Sequence, residues 1–350
     1  MRIGLVGYGK GGRFFHAPLI SSLSGATFVG VVTRSAERRQ QLASDHPDAQ
    51  AFDTLEQLVA AGVDAVVVST PLDGRPAIVM QAIELGVAVV SDKPFAPDAA
   101  QAEAMVLAAE RRNVPLSVYQ NRRWDSDFLT LRKLLASGAL GQVIRFESSV
   151  ERYSPTSVGK GSGGGFLRDL GSHLVDQALQ LFGPVTRVYA ELDYRQPDQV
   201  FDNGFFMSLT HASGVISHLS GNCVQNAPRP RLRVNGTQGC YSVEGLDGQE
   251  AQALAGLSPA TEGERWGAEE HRRWGWFEHG AERERVTSER GCWLAFYQQL
   301  QTALQGAGPL PVEARDALAT TRILDAARQS AEQGGVVCLT VPVGHGIKNE

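Results

Sequence analysis

The sequence lacks any apolar run that approaches the roughly 20 residues of a membrane span. A membrane anchor is therefore not expected, and because a strand pattern begins at Arg2, a secretory signal peptide is not expected either. Cysteine is scarce, and its four positions form neither a CxxC pair nor a zinc-ligand spacing: Cys223, Cys240, Cys292 and Cys338. This predicts buried, reduced thiols in a cytoplasmic protein.

Positive charge is not in excess, since 33 Lys and Arg against 38 Asp and Glu give a formal net charge of -5. The sequence thus has no basic footprint for nucleic acid, and the arginines from Arg229 to Arg233 are interpreted as strand-edge or surface charge. Hydrophobic residues make up 43% and charged residues 20%, which is typical of a soluble globular protein. A chain of 350 residues is too long for one ordinary core and predicts two domains.

A short apolar run stands directly before a glycine pattern in RIGLVGYGKGG, residues 2–12. In the spacing Gly7-x-Gly9-x-x-Gly12, Gly7 permits a tight turn, Gly9 lets the backbone approach a pyrophosphate, and Gly12 lets a helix pack close to the strand. Among 38 glycines such a spacing can be incidental, but a second strand pattern follows at 26–34, where a βαβ unit needs it. The motif predicts a dinucleotide whose pyrophosphate lies at the helix N-terminus.

The end of the second strand lacks the acid with which an NAD site binds the adenosine ribose. It reads Thr33, Arg34, Ser35, with no acid until Glu37 and with Arg38 and Arg39 one helical turn further on. The Arg34 guanidinium can bind a 2′-phosphate, and the hydroxyls of Thr33 and Ser35 can add hydrogen bonds. This favours NADP over NAD. The alternative is that Arg34 only begins a solvated helix.

Strand and helix patterns alternate through the first third of the chain. Strands are predicted at 63–70, 87–94 and 114–121, with helices at 17–23, 36–44, 55–60, 76–85 and 98–112 between strands. The β-branched run at 63–70 is typical of a parallel strand buried on both faces. The succession predicts an α/β fold with a doubly wound parallel sheet, a Rossmann domain over residues 1–121.

From Gln142 onwards the pattern changes to strands without intervening helices. They are predicted at 143–150, 185–192, 205–210, 214–221 and 231–237, with helices at 171–181, 293–304 and 312–332. This predicts an α+β domain over 122–350 with a largely antiparallel open sheet, used for substrate binding and for assembly into a homodimer or homotetramer. The polar segment 248–290, which holds Trp266, Trp274 and Trp276, is interpreted as a surface loop or an oligomer contact.

One strand end carries a lysine. Ligands of this fold bind beyond the carboxyl ends of the parallel strands, and Lys93 lies between a predicted strand and Pro94. Pro94 disfavours the helical region for Lys93, so the sequence predicts an extended turn with the ammonium in the cleft. The alternative is a surface lysine that happens to precede a proline.

The segment SGGGFLRDLGSHLVDQ, residues 162–177, carries polar groups at helical spacing. Asp169, His173 and Asp176 fall at i, i+4 and i+7, which predicts one face of one helix behind a flexible glycine loop at 163–165. Polar groups on a half-buried helix are costly unless they have partners or a function. Two alternatives stay open here, a Zn²⁺ or Mn²⁺ site and a core histidine flanked by a capping aspartate.

Together, GYGKGG, the DKP turn and GGGFLRDLGSHLVD resemble the glucose-fructose oxidoreductase, inositol dehydrogenase and MocA family (Gfo/Idh/MocA), in the family's order and over essentially the whole chain. Within it, FHAPLI, VTRS, SVYQNRRWDSDFLT and LGSHLVDQ are similar to NADP-dependent scyllo-inositol dehydrogenases. Two positions depart from the family pattern. Asp92 stands where the family usually has Glu, and Leu72 and Arg75 replace the Asn and His of TPNxxH, whose roles stay unassigned.

The resemblance implies hydride transfer between a nicotinamide and a secondary alcohol of a cyclic polyol, such as scyllo-inositol and its inosose. His173 is then the base, Lys93 stabilises the alkoxide, Asp169 binds a substrate hydroxyl, and Asp176 orients the helix or His173. No metal is required.

The same reasoning names the binding residues. Expected cofactor contacts are Gly7, Tyr8, Gly9, Gly12, Thr33, Arg34, Ser35, Thr70, Pro71 and Lys93, and expected substrate contacts are Asn121, Arg122, Tyr153, Asp169 and His173. Asn121, Arg122, Arg123, Trp124 and Tyr153 can equally stabilise the domain junction. Alternative functions are a dehydrogenase or reductase of glucose-like sugars, a glycosidase that uses its nicotinamide transiently, and a non-catalytic dinucleotide sensor.

Overall fold

The computed structural model describes residues 1–154, 164–194 and 200–340. The chain divides into two compact units, each assembled from separate segments. The first unit contains Met1–Lys133, Gly245–Gly275 and Arg285–Arg322, and the second contains Leu134–Glu244, Trp276–Glu284 and Ile323–Glu350. The predicted boundary after residue 121 divides the chain once, whereas these compact units are interleaved along the sequence.

The first unit begins with alternating strands and helices. Its strands are β1 (Arg2–Val6), β2 (Thr27–Val32), β3 (Gln50–Phe52), β4 (Ala65–Val68), β5 (Ala88–Ser91) and β6 (Leu116–Val118). The helices along this part of the chain are α1 (Ala17–Ser21), α2 (Ala36–Asp45), α3 (Leu55–Ala60), α4 (Arg75–Glu84), α5 (Ala99–Arg112) and α6 (Ser126–Ala136). Strands β4 and β5 end earlier than predicted because the chain leaves the sheet after Val68 and after Ser91.

The first sheet has the order β3-β2-β1-β4-β5-β6, and its pairs are parallel. Every residue of β4 and β5 is buried, as a parallel strand covered on both faces requires. This confirms the predicted doubly wound sheet. The strand order reverses between β1 and β4, the switch point at which such sheets bind ligands.

The second unit is built on a larger sheet. The remaining strands are β7 (Val143–Glu151), β8 (Val185–Asp193), β9 (Gly204–His211), β10 (Ile216–Asn222), β11 (Leu232–Gly236), β12 (Cys240–Val243), β13 (Gly275–His279), β14 (Glu282–Val286) and β15 (Val337–Cys338). Their order is β14-β13-β12-β11-β7-β10-β9-β8-β15. The central pair β7 and β10 is parallel, and the pairs on either side of it are antiparallel. The prediction of a largely antiparallel sheet is therefore confirmed.

Helices α7 (Gly165–Asp169), α8 (Gly171–Phe182), α9 (Gln249–Leu254), α10 (Pro259–Glu262), α11 (Leu294–Leu304) and α12 (Ala314–Gln333) complete the fold. Helix α8 packs on β10 and β7, and its Leu174, Val175 and Ala178 are fully buried. Along β9, buried residues alternate with the half-exposed Phe206, Ser208 and Thr210. One face of this strand thus joins the core and the other is partly open to solvent.

The segment 248–290 is more ordered than a surface loop. It forms α9, α10, β13 and β14, and Trp266 is buried in the core of the first unit. Its Trp266 indole N–H donates to Gln249 Oε1 at 2.9 Å, and Gln249 also accepts from the Trp293 backbone N–H at 2.7 Å. The surface-loop interpretation is wrong for this part because its polar residues hydrogen-bond one another inside the unit.

Within the described ranges, no helix is both long enough and apolar enough to cross a membrane.

Candidate functional site

The glycines after β1 are fixed by their surroundings. Gly7 has φ +97°, and a Cβ there would lie 2.4 Å from the Ser69 carbonyl oxygen. A Cβ on Gly12 would lie 2.3 Å from the Gly7 carbonyl oxygen. At Gly9 the nearest described atom to such a Cβ is Nη2 of Arg38, at 3.9 Å. Gly7 and Gly12 are therefore required by packing, while Gly9 keeps a space open beside an arginine.

The chain leaves the glycine turn as a π-helix, Gly11–His16, which leads directly into α1. The sequence predicted only the later helix. Gly11 was not singled out, yet its Cβ would lie 2.6 Å from Ser69 Oγ and 3.0 Å from Asp92 Oδ2. The glycine doublet at 11 and 12 was the available signal. Single π-turns inside helices often mark functional sites.

The residues at the switch point fit a dinucleotide. The glycine turn follows β1, and Ser69, Thr70 and Pro71 follow its neighbour β4. Thr70 Oγ1 is buried and has no hydrogen-bond partner among the described residues. A buried hydroxyl without a partner is costly in the free protein, and a polar ligand would remove that cost. The space kept by Gly9 and the Thr70 hydroxyl together suit a bound pyrophosphate nucleotide.

Tyr8 does not offer its side chain to this space. It is buried, its hydroxyl donates to Asp45 Oδ2 at 3.0 Å, and Arg13 Nε donates to the same oxygen at 2.6 Å. Burial and the adjacent Asp45 raise the pKa of Tyr8 far above its usual value. Only the Tyr8 backbone can therefore serve the predicted cofactor contact.

The arginines after β2 differ in their contacts. Arg34 is exposed, and Ser35 caps α2 by accepting from the Arg38 backbone N–H at 3.4 Å. Arg39 is bound to Asp53 Oδ1 at 2.7 Å. Arg38 extends towards Gly9. Thr33 is buried, and its Oγ1 accepts from the Ser35 backbone N–H at 3.4 Å.

The turn after β5 carries Lys93, which is half-buried and joined to Pro94 by a cis peptide bond. The Lys93 backbone N–H donates to Asp92 Oδ1 at 2.7 Å. Asp92 Oδ2 accepts from Ser69 Oγ at 2.7 Å and lies 3.4 Å from His16 Nε2. Burial raises the pKa of Asp92, but His16, Arg75 and Ser69 outweigh it and hold this pKa well below its usual value. Asp92 is thus a half-buried, hydrogen-bonded carboxylate next to the lysine.

His16 links the Asp92 carboxylate to the π-helix that follows the glycine turn. It is fully buried as the last residue of the π-helix, and its Nδ1 lies 2.6 Å from the Tyr297 hydroxyl. Its ring also packs on Tyr119, with ring centroids 4.2 Å apart. Sequence reasoning did not single out His16 because its partners are 76 and 281 positions away in the chain.

Arg75 contacts both sides of the lysine turn. Its Nη1 donates to the carbonyls of Asp92, at 2.7 Å, and of Pro94. Its Nε and Nη2 donate to the Thr70 carbonyl at 3.2 and 2.7 Å. The residue left without a role by the sequence is therefore a buried clamp between the ends of β4 and β5.

In the second unit, the predicted single helix is divided at Leu170. Asp169 ends α7 and is exposed, whereas His173 and Asp176 are buried in α8. The prediction of one helix is therefore wrong at this point, because α7 and α8 are separate elements. Leu170, which lies between them, still has helical dihedral angles of φ −91° and ψ −39°. The glycine loop is described only at Gly164 and Gly165, and residues 162 and 163 lie outside the described residues.

Helix α7 is held at both ends by charged groups of the same unit. Asp202 Oδ2 accepts from the Leu167 backbone N–H at 2.7 Å, and Asp202 lies 3.5 Å from Arg328. Arg168, also buried, pairs with Asp325. Burial raises the pKa of Asp202 to about 6, against the Leu167 N–H and Arg328, which lower it. These contacts fix the segment that ends in Asp169.

Arg231 is not the surface charge that the sequence suggested. It is 2% exposed, its Nη2 donates to Gln177 Oε1 at 2.8 Å, and its Nη1 donates to Ser148. Gln177 lies one helical turn after His173 on α8. That interpretation is wrong for Arg231 because the residue directly before β11 has its side chain against Gln177 of α8. Arg229 and Arg233 are exposed, as expected.

The residues after β6 that were considered for substrate binding or for the domain junction are largely tied into the first unit. Arg122 is buried and donates to Asp125 at 2.9 Å and to Glu250 at 2.6 Å. Trp124 packs in the core against Phe296, with ring centroids 5.7 Å apart. Asn121 is buried at the same strand end, and Arg123 pairs with Asp316 at 3.2 Å. Tyr153, in the second unit, is 62% exposed.

The metal-ligating side chains and the cysteine thiols bear on two of the expectations from the sequence. In the part of the chain that the structure describes, no group of three or more His, Cys, Asp or Glu is placed to hold a metal ion. The four cysteines are free thiols, but only Cys223 is buried and Cys338 is exposed. The expectation of uniformly buried thiols is wrong, because Cys338 lies on the edge strand β15.

Two family models match the chain. The model described as an oxidoreductase family with an NAD-binding Rossmann fold matches residues 1–120. The model described as the GFO/IDH/MocA C-terminal domain matches residues 128–242.

The chain is also similar to curated proteins. It is 31% identical over 349 residues to scyllo-inositol 2-dehydrogenase (NADP+) IolW of Bacillus subtilis, covering 97% of this chain and 96% of that protein. It is 27% identical over 332 residues to D-apiose dehydrogenase of Paraburkholderia graminis, covering 92% and 85%.

Solved structures agree with this likeness. The yvaA protein of Bacillus subtilis has a TM-score of 0.90 at 31% identity, covering 97% of this chain and 98% of that one. An oxidoreductase from Agrobacterium radiobacter, in complex with NAD+, L-tartaric acid and magnesium, has a TM-score of 0.78 at 20% identity and shares the fold, with 96% and 98% covered.

The parallel sheet with its glycine turn and the second, mostly antiparallel sheet thus define a dinucleotide-binding oxidoreductase. The chain belongs to the Gfo/Idh/MocA oxidoreductase family. It is an enzyme, an NAD(P)-dependent dehydrogenase, as the resemblance implied.

Proposed function

We propose that the protein transfers a hydride between NADP(H) and a secondary alcohol of a cyclic polyol, with scyllo-inositol and its inosose as the first pair to test. The observation that carries the proposal is the lysine turn after β5, which is held by the Asp92 carboxylate and lies near the switch point of the parallel sheet, where such sheets bind dinucleotides. The likeness to the Bacillus subtilis scyllo-inositol dehydrogenase supports the choice of substrate.

Each residue has a defined task in this proposal. The bound nicotinamide would accept or return the hydride at the carbinol carbon. Lys93 donates a hydrogen bond to the alcohol oxygen and stabilises the negative charge that develops there, an effect of about 3 to 4 kcal/mol for a comparable donor. His173 takes the hydroxyl proton as general base. Asp169 accepts a hydrogen bond from a second substrate hydroxyl, and Asp176 orients His173.

The cofactor would be held by the residues around the glycine turn. Gly7, Gly9, Gly12 and the Tyr8 backbone serve the pyrophosphate, and Thr70, Pro71 and Lys93 serve the nicotinamide end. Thr33, Arg34 and Ser35 serve the adenosine end of the cofactor. Arg38, which extends towards Gly9, adds a second guanidinium to that end.

NADP is the proposed cofactor because Arg34 follows β2 with no acid before Glu37, and Arg38 lies close by. Replacing Arg34 with Asp is expected to weaken NADP far more than NAD, since a carboxylate repels the 2′-phosphate. Arg39→Asp is the matched control, because Arg39 is already bound to Asp53. A wild-type preference for NAD of tenfold or more in kcat/KM would contradict the choice of NADP.

The proposal is tested by the absorbance spectrum of the purified protein and by a panel of polyols and aldoses with NADP and with NAD. We expect reduction of NADP by scyllo-inositol and a slower reaction with other ring polyols. Turnover of none of the alcohols despite tight NADPH binding would favour a dinucleotide sensor. Retention of the nicotinamide through purification, with release of sugar from a glycoside, would favour a glycosidase.

A second candidate is a sugar dehydrogenase or reductase. It is supported by the likeness to a D-apiose dehydrogenase over 92% of the chain. A higher kcat/KM for an aldose than for every inositol in the same panel would select it.

We also propose a cytoplasmic homodimer or homotetramer. Four free thiols without a disulfide favour the cytoplasm. The half-exposed face of β9 and its neighbours favours pairing with a second copy.

A further inference from the structure

We propose that Arg75 is a positioning residue for catalysis, whose guanidinium sets the place of Lys93 by fixing the backbone on both sides of it. The inference rests on the proposed function, because it takes Lys93 as the group that polarises the substrate oxygen. Arg75 itself touches neither substrate nor cofactor in this proposal.

The contacts of Arg75 surround the lysine. Asp92 and Pro94 are its two neighbours in the chain, and the carbonyls of both accept from the same nitrogen, Nη1. The other two nitrogens bind the Thr70 carbonyl, at the end of the adjacent strand β4. The backbone that carries Lys93 is therefore tied to β4 through one rigid group.

Arginine has the geometry that this task requires. Its guanidinium is planar and offers five N–H donors in fixed directions, whereas a lysine ammonium is a single point on a flexible stem. The fork lets one side chain donate to three carbonyls from two turns, those of Thr70, Asp92 and Pro94. A displacement of about 1 Å at a reacting group can lower the rate about 10²-fold. A backbone that holds Lys93 in one position is therefore expected to increase kcat.

The burial of Arg75 argues against a role in packing alone. The residue is 5% exposed, and burial disfavours its charge, which the Asp92 carboxylate partly compensates. A neutral side chain would fill the same volume without a desolvation cost. The cation at this position offsets the charge of Asp92 and donates to the carbonyls on both sides of Lys93.

The test is a double-mutant cycle on the full-length enzyme, with the alcohol that gives the highest kcat/KM in the panel above. We expect Arg75→Lys and Arg75→Ala to lower kcat about 10- to 100-fold while the NADPH dissociation constant, measured by fluorescence, stays within about threefold. In a Lys93→Ala background, Arg75→Ala should add less than about threefold, because a positioning residue acts through the lysine.

Two further measurements separate positioning from folding stability. Millimolar guanidinium should restore part of kcat in Arg75→Ala, and sodium chloride at the same ionic strength should not. The matched control is Arg2→Ala, which also removes guanidinium bonds to backbone carbonyls, those of Gly62 and Ala61, but at the start of β1. It should lower the melting temperature without changing kcat. If Arg75→Ala does not fold, Arg75→Lys replaces it in the double-mutant cycle. The double variant is then Lys93→Ala combined with Arg75→Lys.

The inference is overturned if Arg75→Lys keeps kcat within twofold of wild type, or if the Arg75 and Lys93 effects multiply in the double variant. Failure of the proposed function gives a different result. In that case Lys93→Ala alone retains wild-type kcat, whatever the Arg75 variants do.

Discussion

Lys93 and Asp92 are adjacent in the chain and carry opposite charges. Lys93 is half-buried at the end of β5, whereas the Asp92 carboxylate accepts from Ser69 and faces His16 and the Arg75 guanidinium. The pKa of Asp92 is held below its usual value by these groups, so the carboxylate stays charged and its position stays fixed. In the proposed function, Lys93 is the member of the pair that acts on the substrate oxygen.

Removal of either proposed reacting group should reduce the chemical step. Lys93→Ala and His173→Ala are each expected to lower kcat by about 10² or more and to leave NADP binding within a few-fold, because they act on the alkoxide and its proton. Oxidation should rise with pH as an imidazole loses its proton, and this limb should be absent from the His173→Ala profile.

The same experiment includes a metal control. EDTA should not change the rate. Loss of activity with EDTA and its return with added metal, or wild-type kcat in His173→Ala, would disprove the assigned roles.

At the scale of elements, the glycine turn and π-helix can be tested by adding single methyl groups. Gly12→Ala should lower both the melting temperature and the NADPH affinity, because its Cβ would lie 2.3 Å from the Gly7 carbonyl oxygen. Gly9→Ala should leave the melting temperature within a few degrees but still weaken NADPH, because its Cβ would occupy the space kept for the pyrophosphate.

Gly74→Ala is the control for this pair, since nothing lies within 4 Å of a Cβ there. Its melting temperature and NADPH affinity should match wild type. Equal NADPH affinity in Gly9→Ala and wild type, measured by fluorescence titration, would show that the pyrophosphate does not use this turn.

Local patterns predicted the long strands of both sheets because each pattern has a local cause, whereas β3 and β12 to β15 were not predicted. The β-branched run at β4 predicted a strand buried on both faces, and the glycine spacing predicted the turn after β1. The parallel order of the first sheet followed from alternating strands and helices.

The partners of individual polar side chains were not predictable. Arg231 was interpreted as surface charge, and Arg75 and His16 were given no role, yet all three are buried in the structure. Their partners come from other strands and helices, and a periodicity of two or of 3.6 residues contains no information on such pairs. The division of the predicted helix at Leu170 also depends on tertiary contacts, those of Asp202 and Arg168.

At the scale of the whole molecule, buried carboxylates should make stability depend on pH. Burial raises the pKa of Asp247 to about 6, although the N–H groups of Ser126 and Gln249 donate to it at 2.7 Å. A raised folded-state pKa stabilises the fold at low pH, and this contribution is lost as pH rises through 6. Asp247→Asn should therefore gain about 1 kcal/mol relative to wild type between pH 5 and pH 7.5.

The measurement is the free energy of urea unfolding, compared between Asp247→Asn and wild type at each pH. Burial lowers the pKa of His46, His211 and His218, and these groups oppose the carboxylates in the wild-type curve over the same range. A difference between variant and wild type that does not change with pH would contradict the assignment of a protonated Asp247 at pH 5.

Assembly is the second prediction for the whole molecule. The sedimentation mass at micromolar concentration is expected to be two or four times the 37.7 kDa of one chain. Phe206→Glu, on the half-exposed face of β9, should shift the mass towards one chain while NADPH binding is retained. A wild-type mass near 37.7 kDa would contradict assembly.

The parallel pairing of β7 with β10 has a consequence for synthesis of the chain. Strand β7 ends at Glu151, but its neighbours on either side, β10 and β11, begin only at Ile216 and Leu232. On the ribosome, β7 therefore emerges with both edges unpaired and stays so until more than 60 further residues have been made. A nascent chain stalled before Leu232 would expose an unpaired strand edge, the feature by which chains associate with one another before they fold.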